Sequence, residues 1–417
     1  MTSGYDEAVS LDGSDPLAGF RDRFVVGDPD LIYLDGNSLG RLPKTAPAII
    51  DEVTHHHWGE RLIRSWNEGW WELQLRLGDQ IANLIGAADG EVIVSDSTSV
   101  NLYKLALAAL DARPDRSVIV TDDLNFPTDL YILEGIAHRT GLTLRVVESD
   151  GISGPIEQLA DVIDSDTALM SLSHTVFKSG YTYDIAAMTE VAHKAGALVL
   201  WDCSHSVGVV PIDLGGASVD LAVGCTYKYL NGGPGSPAWL YVRSDLQDQL
   251  DNPITAWWGH ADPFAFGLHF EAVSGIRRFH TGTMPILSLA AIEAGVGDVL
   301  DAGIDQIRAK STLLSEYLIG QVEEHLVPLG FGLSTPRDVA LRGSHVSVSH
   351  PDAWPITRAL IEKAQVVPDY RTPDNLRFGL APLYNSFVEV HTAVQRLRLI
   401  VETESHLAFA ESSVVVT

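Results

Sequence analysis

Cysteine is almost absent from this chain, with only Cys203 and Cys225 among 417 residues. So sparse a supply excludes a disulfide framework as the source of stability and makes a reducing, cytoplasmic setting the expectation. Both residues read more naturally as small buried apolar groups than as reactive thiols. Positive charge is scarce as well: 28 Lys and Arg stand against 55 Asp and Glu, a formal net charge of −27 at pH 7. That balance argues against nucleic-acid and anionic-membrane partners, because attraction to phosphate needs a basic face. It also means that an anionic ligand must find a local cluster of cations against the field of the whole protein. Long apolar runs are missing too; none approaches the roughly 18 residues of a membrane span. The opening MTSGYDEAVSLDGSDPLAGF is acidic and lacks the basic-then-apolar order of a signal peptide.

What is present is ordinary for a globular protein, with 46% hydrophobic and 20% charged residues. The length suits two or three domains at about 150 residues each. The most informative stretch is WDCSHSVGVVPIDLGGASVDLAVGCTYKYLNGGPGSP at 201–237. An apolar run ends at an acid, Asp202, with His205 three residues on; a second run leads to Lys228 between two tyrosines, followed by a Gly/Pro loop that can be neither helix nor central strand. An acid and a lysine on neighbouring strand ends suit pyridoxal phosphate (PLP) chemistry. The amine forms a Schiff base with the cofactor aldehyde, and the carboxylate keeps the pyridine nitrogen protonated. Alone, Asp202 reads more readily as a helix cap and Lys228 as a solvated lysine; their order, the strand between them and the glycine loop reverse that preference toward the cofactor.

From Glu91 onward, strand-like runs at 92–94, 117–120, 142–147, 168–172, 197–201 and 219–223 alternate with helix-length segments, the pattern of a mostly parallel α/β sheet flanked by helices. Ligands of such sheets sit at the carboxyl ends of the strands. The loops there include SDSTSVN at 95–101, DDLNFPTD at 122–129, the Asp202 turn and the Lys228 loop. Ser97, Thr98 and Ser99 lead into a helix expected near Val100, so hydroxyls and free backbone donors would face a phosphate there, although an ordinary N-cap reads the same. Phe126 with Pro127, Thr128 and Asp129 offers a flat ring beside a hydroxyl and a carboxylate, or else a core phenylalanine. Further helices are expected at 43–58, 70–85, 287–300, 304–325 and 386–401, and strands at 31–34, 344–349 and 376–378; the tail SSVVVT has strand-like composition. The consecutive His55, His56 and His57 point in different directions on a helix and make no metal site.

Several blocks resemble the kynureninase family: YLDGNSLG at 33–40, LIRSWN at 62–67, SDSTSVNLYK at 95–104, NFPTDLY at 125–131, GCTYKYLNGGPGSPAWLYV at 224–242, WWGH at 257–260, GIRRFHTGT at 275–283 and LRFGLAPLYNSF at 376–387. The resemblance implies a fold-type I PLP enzyme of the aspartate aminotransferase superfamily. It would have an N-terminal arm at 1–59, a large PLP domain at 60–290 and a smaller α+β domain at 291–417. The implied reaction is hydrolysis of L-kynurenine to anthranilate and L-alanine, in tryptophan catabolism. Lys228 would be the Schiff-base lysine, Asp202 the partner of the pyridine nitrogen, and His205 a neighbour of the cofactor. Thr98, Ser99 and Tyr227 would bind phosphate, Tyr227 also serving as proton donor or relay, and Phe126 would stack on the ring near Thr128 and Asp129. Trp257 and Thr283 would reach the phosphate of the second subunit of a homodimer. Arg377 would hold the substrate α-carboxylate, Ser38 and Trp66 would meet its aromatic part, and Arg277 and Arg278 would add to a local positive island.

Two departures from the family pattern stand out. Phe177-Lys178-Ser179-Gly180 replaces an arginine-threonine-glycine of bacterial relatives, which loses the bidentate fork of arginine, and Cys203 replaces an apolar residue. Alternatives within the resemblance are a preference for a ring-modified kynurenine such as 3-hydroxykynurenine and a desulfurase-like lyase, the latter lacking a cysteine on a suitable loop. A non-catalytic PLP-binding sensor is the alternative from another class; it would carry a basic DNA-binding module, which the acidic N-terminus does not resemble.

Overall fold

The computed structural model describes residues 2–410, so the tail at 412–417 lies outside the described residues. After helix Thr2–Gly13 the chain forms a two-residue strand, β1 (Ile32–Tyr33). The strands β2 (Val92–Val94), β3 (Val118–Asp122), β4 (Thr143–Val147), β5 (Thr167–Ser173), β6 (Leu198–Asp202), β7 (Leu221–Gly224) and β8 (Trp239–Val242) form one seven-stranded sheet in the order β2-β8-β7-β6-β5-β3-β4. Only β8 runs against its neighbours. Six of the seven coincide with the expected runs. β8 is the strand the pattern does not announce, because four apolar residues directly after a Gly/Pro loop carry no readable period.

Why these runs are almost continuously apolar is visible in the two faces of the sheet. Along β6, Val199 and Trp201 pack into one core with Leu77, Ile81 and Ile292, while Leu198 and Leu200 pack into another with Leu102, Leu105 and Ile136. A strand covered by helices on both faces turns every side chain toward a core, which favours apolar residues along its whole length. Helix Leu73–Ile85 contributes Leu77, Ile81 and Ile85, all fully buried, each worth about 1.5–3 kcal/mol on burial. The segment expected as one helix at 43–58 divides into an α-helix, Ala46–Glu52, and a wider π-helical stretch, Val53–Arg61. Among the described residues no helix is long and apolar enough to cross a membrane.

The C-terminal part adds β9 (Gly332–Leu333), β10 (His345–Ser349), β11 (Val366–Val367), β12 (Asp369–Arg371) and β13 (Asn375–Gly379). Four of them form an antiparallel sheet in the order β12-β13-β10-β9, and β11 pairs in parallel with β1. Helices Ile304–His325, Ala353–Ala364 and Phe387–Glu402 pack here around Leu318, Val346, Phe378 and Val394. Ser386 and Glu389 close a reciprocal cap at the start of the last of these. β1 therefore delivers the turn that follows it to the end of β13, where Asp35 bridges to Gly379.

One contact joins these layers to the Lys228 loop. Helix Ile286–Ala302 meets that loop at Gly295, where an added Cβ would lie 2.0 Å from the carbonyl oxygen of Leu230. Gly295→Ala is expected to force helix and loop apart at a cost of about 1–3 kcal/mol, read as a fall in the urea midpoint with an unchanged slope.

Candidate active site

The carboxyl ends of β2, β3, β6 and β7 open on one cavity of about 220 Å³. Its lining brings together Ser38, Thr98, Ser99, Phe126, Thr128, Asp129, Asp202, His205, Tyr227, Lys228 and Arg377, with Asn37, Ser204 and Arg371 beside them. Eleven residues expected from the sequence thus converge from six separate segments.

Each is delivered by local structure. Ser97 caps helix Thr98–Asp111, its side chain accepting from Val100 N at 3.3 Å, so Thr98 and Ser99 occupy the first helical positions, where backbone N–H groups have no intrahelical acceptor. Helix Pro127–Thr140 begins with proline at its first position, which leaves Phe126 in extended backbone at the cavity edge. Asp202 is the last residue of β6; its Oδ1 accepts from Ser204 N at 2.8 Å, which tightens the turn carrying His205. The Lys228 loop is pinned twice: Gly40 N donates to Tyr227 O at 2.8 Å, and Asn231 N donates to Lys228 O at 2.9 Å.

The electrostatics are set by burial. Asp129 is completely enclosed and shares a hydrogen bond with Asp202; burial first, and then the Asp202 charge, raise it well above the usual carboxylate range. Lys228 Nζ donates to His205 Nε2 at 3.2 Å. Burial, reinforced by Lys228 and Arg377, holds His205 well below the usual imidazole value, so the ring is neutral and accepts. The neighbouring Cys225, then burial, raise the Tyr227 phenol, which keeps its proton at neutral pH. Burial likewise raises both Cys203 and Cys225, leaving two protonated, enclosed thiols.

At the far wall Arg377 is 1% exposed. Its Nη2 donates to Ser38 Oγ at 3.1 Å and to Asp369 Oδ2, and its Nη1 to the carbonyl of Phe177. Asp369 stands opposite Arg377 in the β12–β13 register, and its Oδ1 also accepts from Arg371 at 2.8 Å. One carboxylate thus clamps two guanidinium groups. Asp35 lies close by, raised to about 7 by burial and then by Asp369. The loop that carries Lys178 reaches Arg377 through the Phe177 backbone carbonyl.

Three expected residues do not line this cavity. Trp66 packs against Trp70 and Trp258, with ring centroids 5.4 and 5.2 Å away. Trp257 is 41% exposed beside Trp258, and Thr283 is exposed. The positive island also differs from expectation. Arg277 is paired with Glu72, and Arg278 lies 3.4 Å from Asp248 and 3.6 Å from Asp251, so both are neutralised locally; Arg371 stands in the cavity instead.

The residues fit PLP. The buried Asp129–Asp202 pair would suit a protonated pyridine nitrogen, and Lys228 stands in the same cavity, where it could bind an aldehyde. Thr98 and Ser99 offer a helix N-terminus to a phosphate. With these groups at the carboxyl edge of a mostly parallel sheet, the chain defines itself as a fold-type I PLP enzyme.

Comparison with known proteins narrows the class. An aminotransferase class-V family model matches residues 73–340, and a kynureninase C-terminal domain model matches residues 307–397. A curated kynureninase of Pseudomonas fluorescens is 46% identical over 412 residues, covering 97% of each chain. That of Burkholderia pseudomallei (strain 1106a) is 46% identical over 405 residues and 96% of each. The chain belongs to the kynureninase family, hydrolases that use PLP. Among solved structures, an apo cysteine desulfurase from Thermococcus onnurineus NA1 superposes with a TM-score of 0.79 at 19% identity, covering 95% of this chain and 98% of that one, a likeness of fold alone.

Sequence reasoning missed a buried pair beneath the phosphate-type loop. Lys104 is fully buried, 2.7 Å from Asp96, and donates to the Phe279 carbonyl at 2.8 Å; Thr281 donates to the other Asp96 oxygen at 2.8 Å. The one available signal was a lysine on the apolar side of the helix after SDSTS. This network ties the Thr98–Ser99 turn to the segment carrying Thr283. Asp96→Asn keeps shape and suits the left-handed backbone at φ 51°, but leaves Lys104 without its counter-charge. We expect a loss of about 3–5 kcal/mol in urea denaturation, largely recovered when Lys104→Met is added.

Proposed function

We propose that the chain hydrolyses L-kynurenine between Cβ and Cγ, consuming one water and releasing anthranilate and L-alanine. The observation that carries this reading is the meeting of Lys228, the Asp129–Asp202 pair and the clamped Arg377 in one cavity of a kynureninase-family chain. Bound PLP supplies an electron sink for the pair of electrons left at Cα. Asp202, with Asp129 beside it, would hold the ring nitrogen, and Phe126 would offer its aromatic ring to the cofactor. Arg377 holds the α-carboxylate and fixes the Cα–H bond toward Lys228. Lys228 Nζ takes the Cα proton, and neutral His205, 3.2 Å away, steadies the amine between steps. Tyr227, protonated at neutral pH, donates as the C–C bond breaks after water has added to the γ-carbonyl.

The same reading makes the enzyme a homodimer in which Trp257 and Thr283 reach the partner's phosphate. What supports it is that Trp257 is exposed and packs against Phe264 (64%), which in turn meets Phe266 (81%), a run of exposed aromatic rings on one loop. Sedimentation should give twice the 45.2 kDa chain mass, and Phe266→Asp should yield monomers that bind PLP weakly.

Lys228→Ala should abolish anthranilate release, followed by its fluorescence, together with the visible absorbance of lysine-bound cofactor. Persistent turnover in that variant sinks the assignment. Kinetics with L-kynurenine and 3-hydroxykynurenine in parallel should favour the former; the opposite ratio of kcat/KM assigns the enzyme to the ring-modified substrate.

A further inference from the structure

Asn37 lies in the turn after β1, is completely buried and lines the cavity, yet neither its Nδ2 nor its Oδ1 has a hydrogen-bond partner among the described residues. A buried carboxamide without partners keeps the full desolvation cost of both its polar groups and calls for a reason. A turn asparagine kept for structure bonds its own backbone, and this one does not.

Its place is decided by β13. Side chains alternate along a strand, so Arg377 and Gly379 share one face. A Cβ at Gly379 would lie 1.8 Å from Asn37 Oδ1. The carboxamide therefore occupies the space a side chain at 379 would fill, beside the Arg377 guanidinium, with Oδ1 turned onto Gly379 and Nδ2 left as the donor.

Arg377 cannot saturate a carboxylate alone. Its Nη2 serves Ser38 and Asp369 and its Nη1 serves the Phe177 carbonyl, whereas its buried Nε has no partner among the described residues. Arg371 is anchored in the same manner: Nη1 donates to Asp369 at 2.8 Å and to the Tyr370 carbonyl at 2.9 Å, and its Nε is likewise buried without a partner. Two guanidinium cations share the one Asp369 carboxylate, and Asp35 beside them is raised to about 7, so this corner retains positive charge. Three unused N–H groups and a surplus of positive charge at one wall describe a seat for a small anion.

We propose that Asn37 and Arg371 complete the seat of the substrate's α-carboxylate, Asn37 Nδ2 and Arg371 Nε donating to oxygen lone pairs that Arg377 leaves unmet. This rests on the reading of the site given above, with Arg377 as the carboxylate's principal partner. Asn37 is then a substrate-binding residue that favours α-amino acids over the corresponding amines.

The test compares wild type, Asn37→Ala, Asn37→Asp and Arg371→Lys, all PLP-loaded, with three probes. These are L-kynurenine, L-alanine titrated by the cofactor's visible spectrum, and the amine formed by decarboxylating kynurenine, which keeps the aryl ketone but has no carboxylate. Asn37→Ala and Arg371→Lys should each raise KM for L-kynurenine and Kd for L-alanine about tenfold, the scale of one hydrogen bond to a charged group, with kcat within about twofold. Asn37→Asp should be worse than Asn37→Ala, because it sets a carboxylate against a carboxylate. All four proteins should bind the decarboxylated amine alike. The proposal is overturned if both single-donor losses leave KM and Kd within about twofold of wild type, if Asn37→Asp binds L-alanine as wild type does, or if the amine weakens in step with the amino acids. Should Asn37→Ala fail to fold, Arg371→Lys carries the same comparison. A wild type that binds L-alanine but does not cleave L-kynurenine refutes the reaction assigned above, and the L-alanine titrations still decide the seat.

Discussion

Two carboxyl groups sealed from water at hydrogen-bond distance cannot both be charged, and that constraint at Asp129 and Asp202 governs the site. Burial, and then the Asp202 charge, raise Asp129 well above the usual carboxylate range. A protonated ring nitrogen placed against the pair would relieve that repulsion. The same burial removes the charge from His205 and so gives Lys228 an uncharged acceptor. In each case a low-dielectric crevice, rather than the identity of the residue alone, decides its protonation.

The fold meets this constraint by gathering strand ends. β2, β3, β6 and β7 all finish at one edge, because the connections from β2 through to β6 each return through a helix to the starting edge, and the β6–β7 connection returns there as a helix-free loop. The antiparallel sheet of the C-terminal part then closes the cavity from the other side, with the Asp369–Arg377 pair fixed by register across β12 and β13. In a chain of net charge −27 an anionic substrate meets a favourable field only where arginines are concentrated, and the Asp369 clamp holds two of them at one wall. Lys104 and Asp96 carry the order further, linking the phosphate-type turn to the segment that ends at Thr283.

Much of this was legible in the chain. The β6 and β7 runs, Asp202, Lys228 and the glycine loop carry their meaning locally: apolar runs of strand length need no tertiary information, and proline and glycine constrain the backbone wherever they occur. Asn37, Asp369, Arg371 and Lys104 were not legible, for different reasons. Asn37 acquires its role only when the bare Gly379 receives it. Asp369 and Arg377 are eight residues apart and meet across a hairpin whose turn, Thr372-Pro373-Asp374, could have been read from its residues, though not which side chains it sets opposite. Trp66 shows the converse case, an aromatic residue in a motif that packs instead among Trp70 and Trp258.

The sequence by itself determined the α/β alternation, the cofactor class and the candidate lysine, because strand period, turn chemistry and the pairing of an acid with an amine are properties of short segments. Only the tertiary structure decided which loops share the cavity, that Asp129 is raised well above the usual carboxylate range, that Arg277 and Arg278 are spent on Glu72, Asp248 and Asp251, and that Arg371 faces the site in their stead. Those facts depend on burial and on distances between residues far apart in the chain, and a charge has no fixed energy until its surroundings are complete.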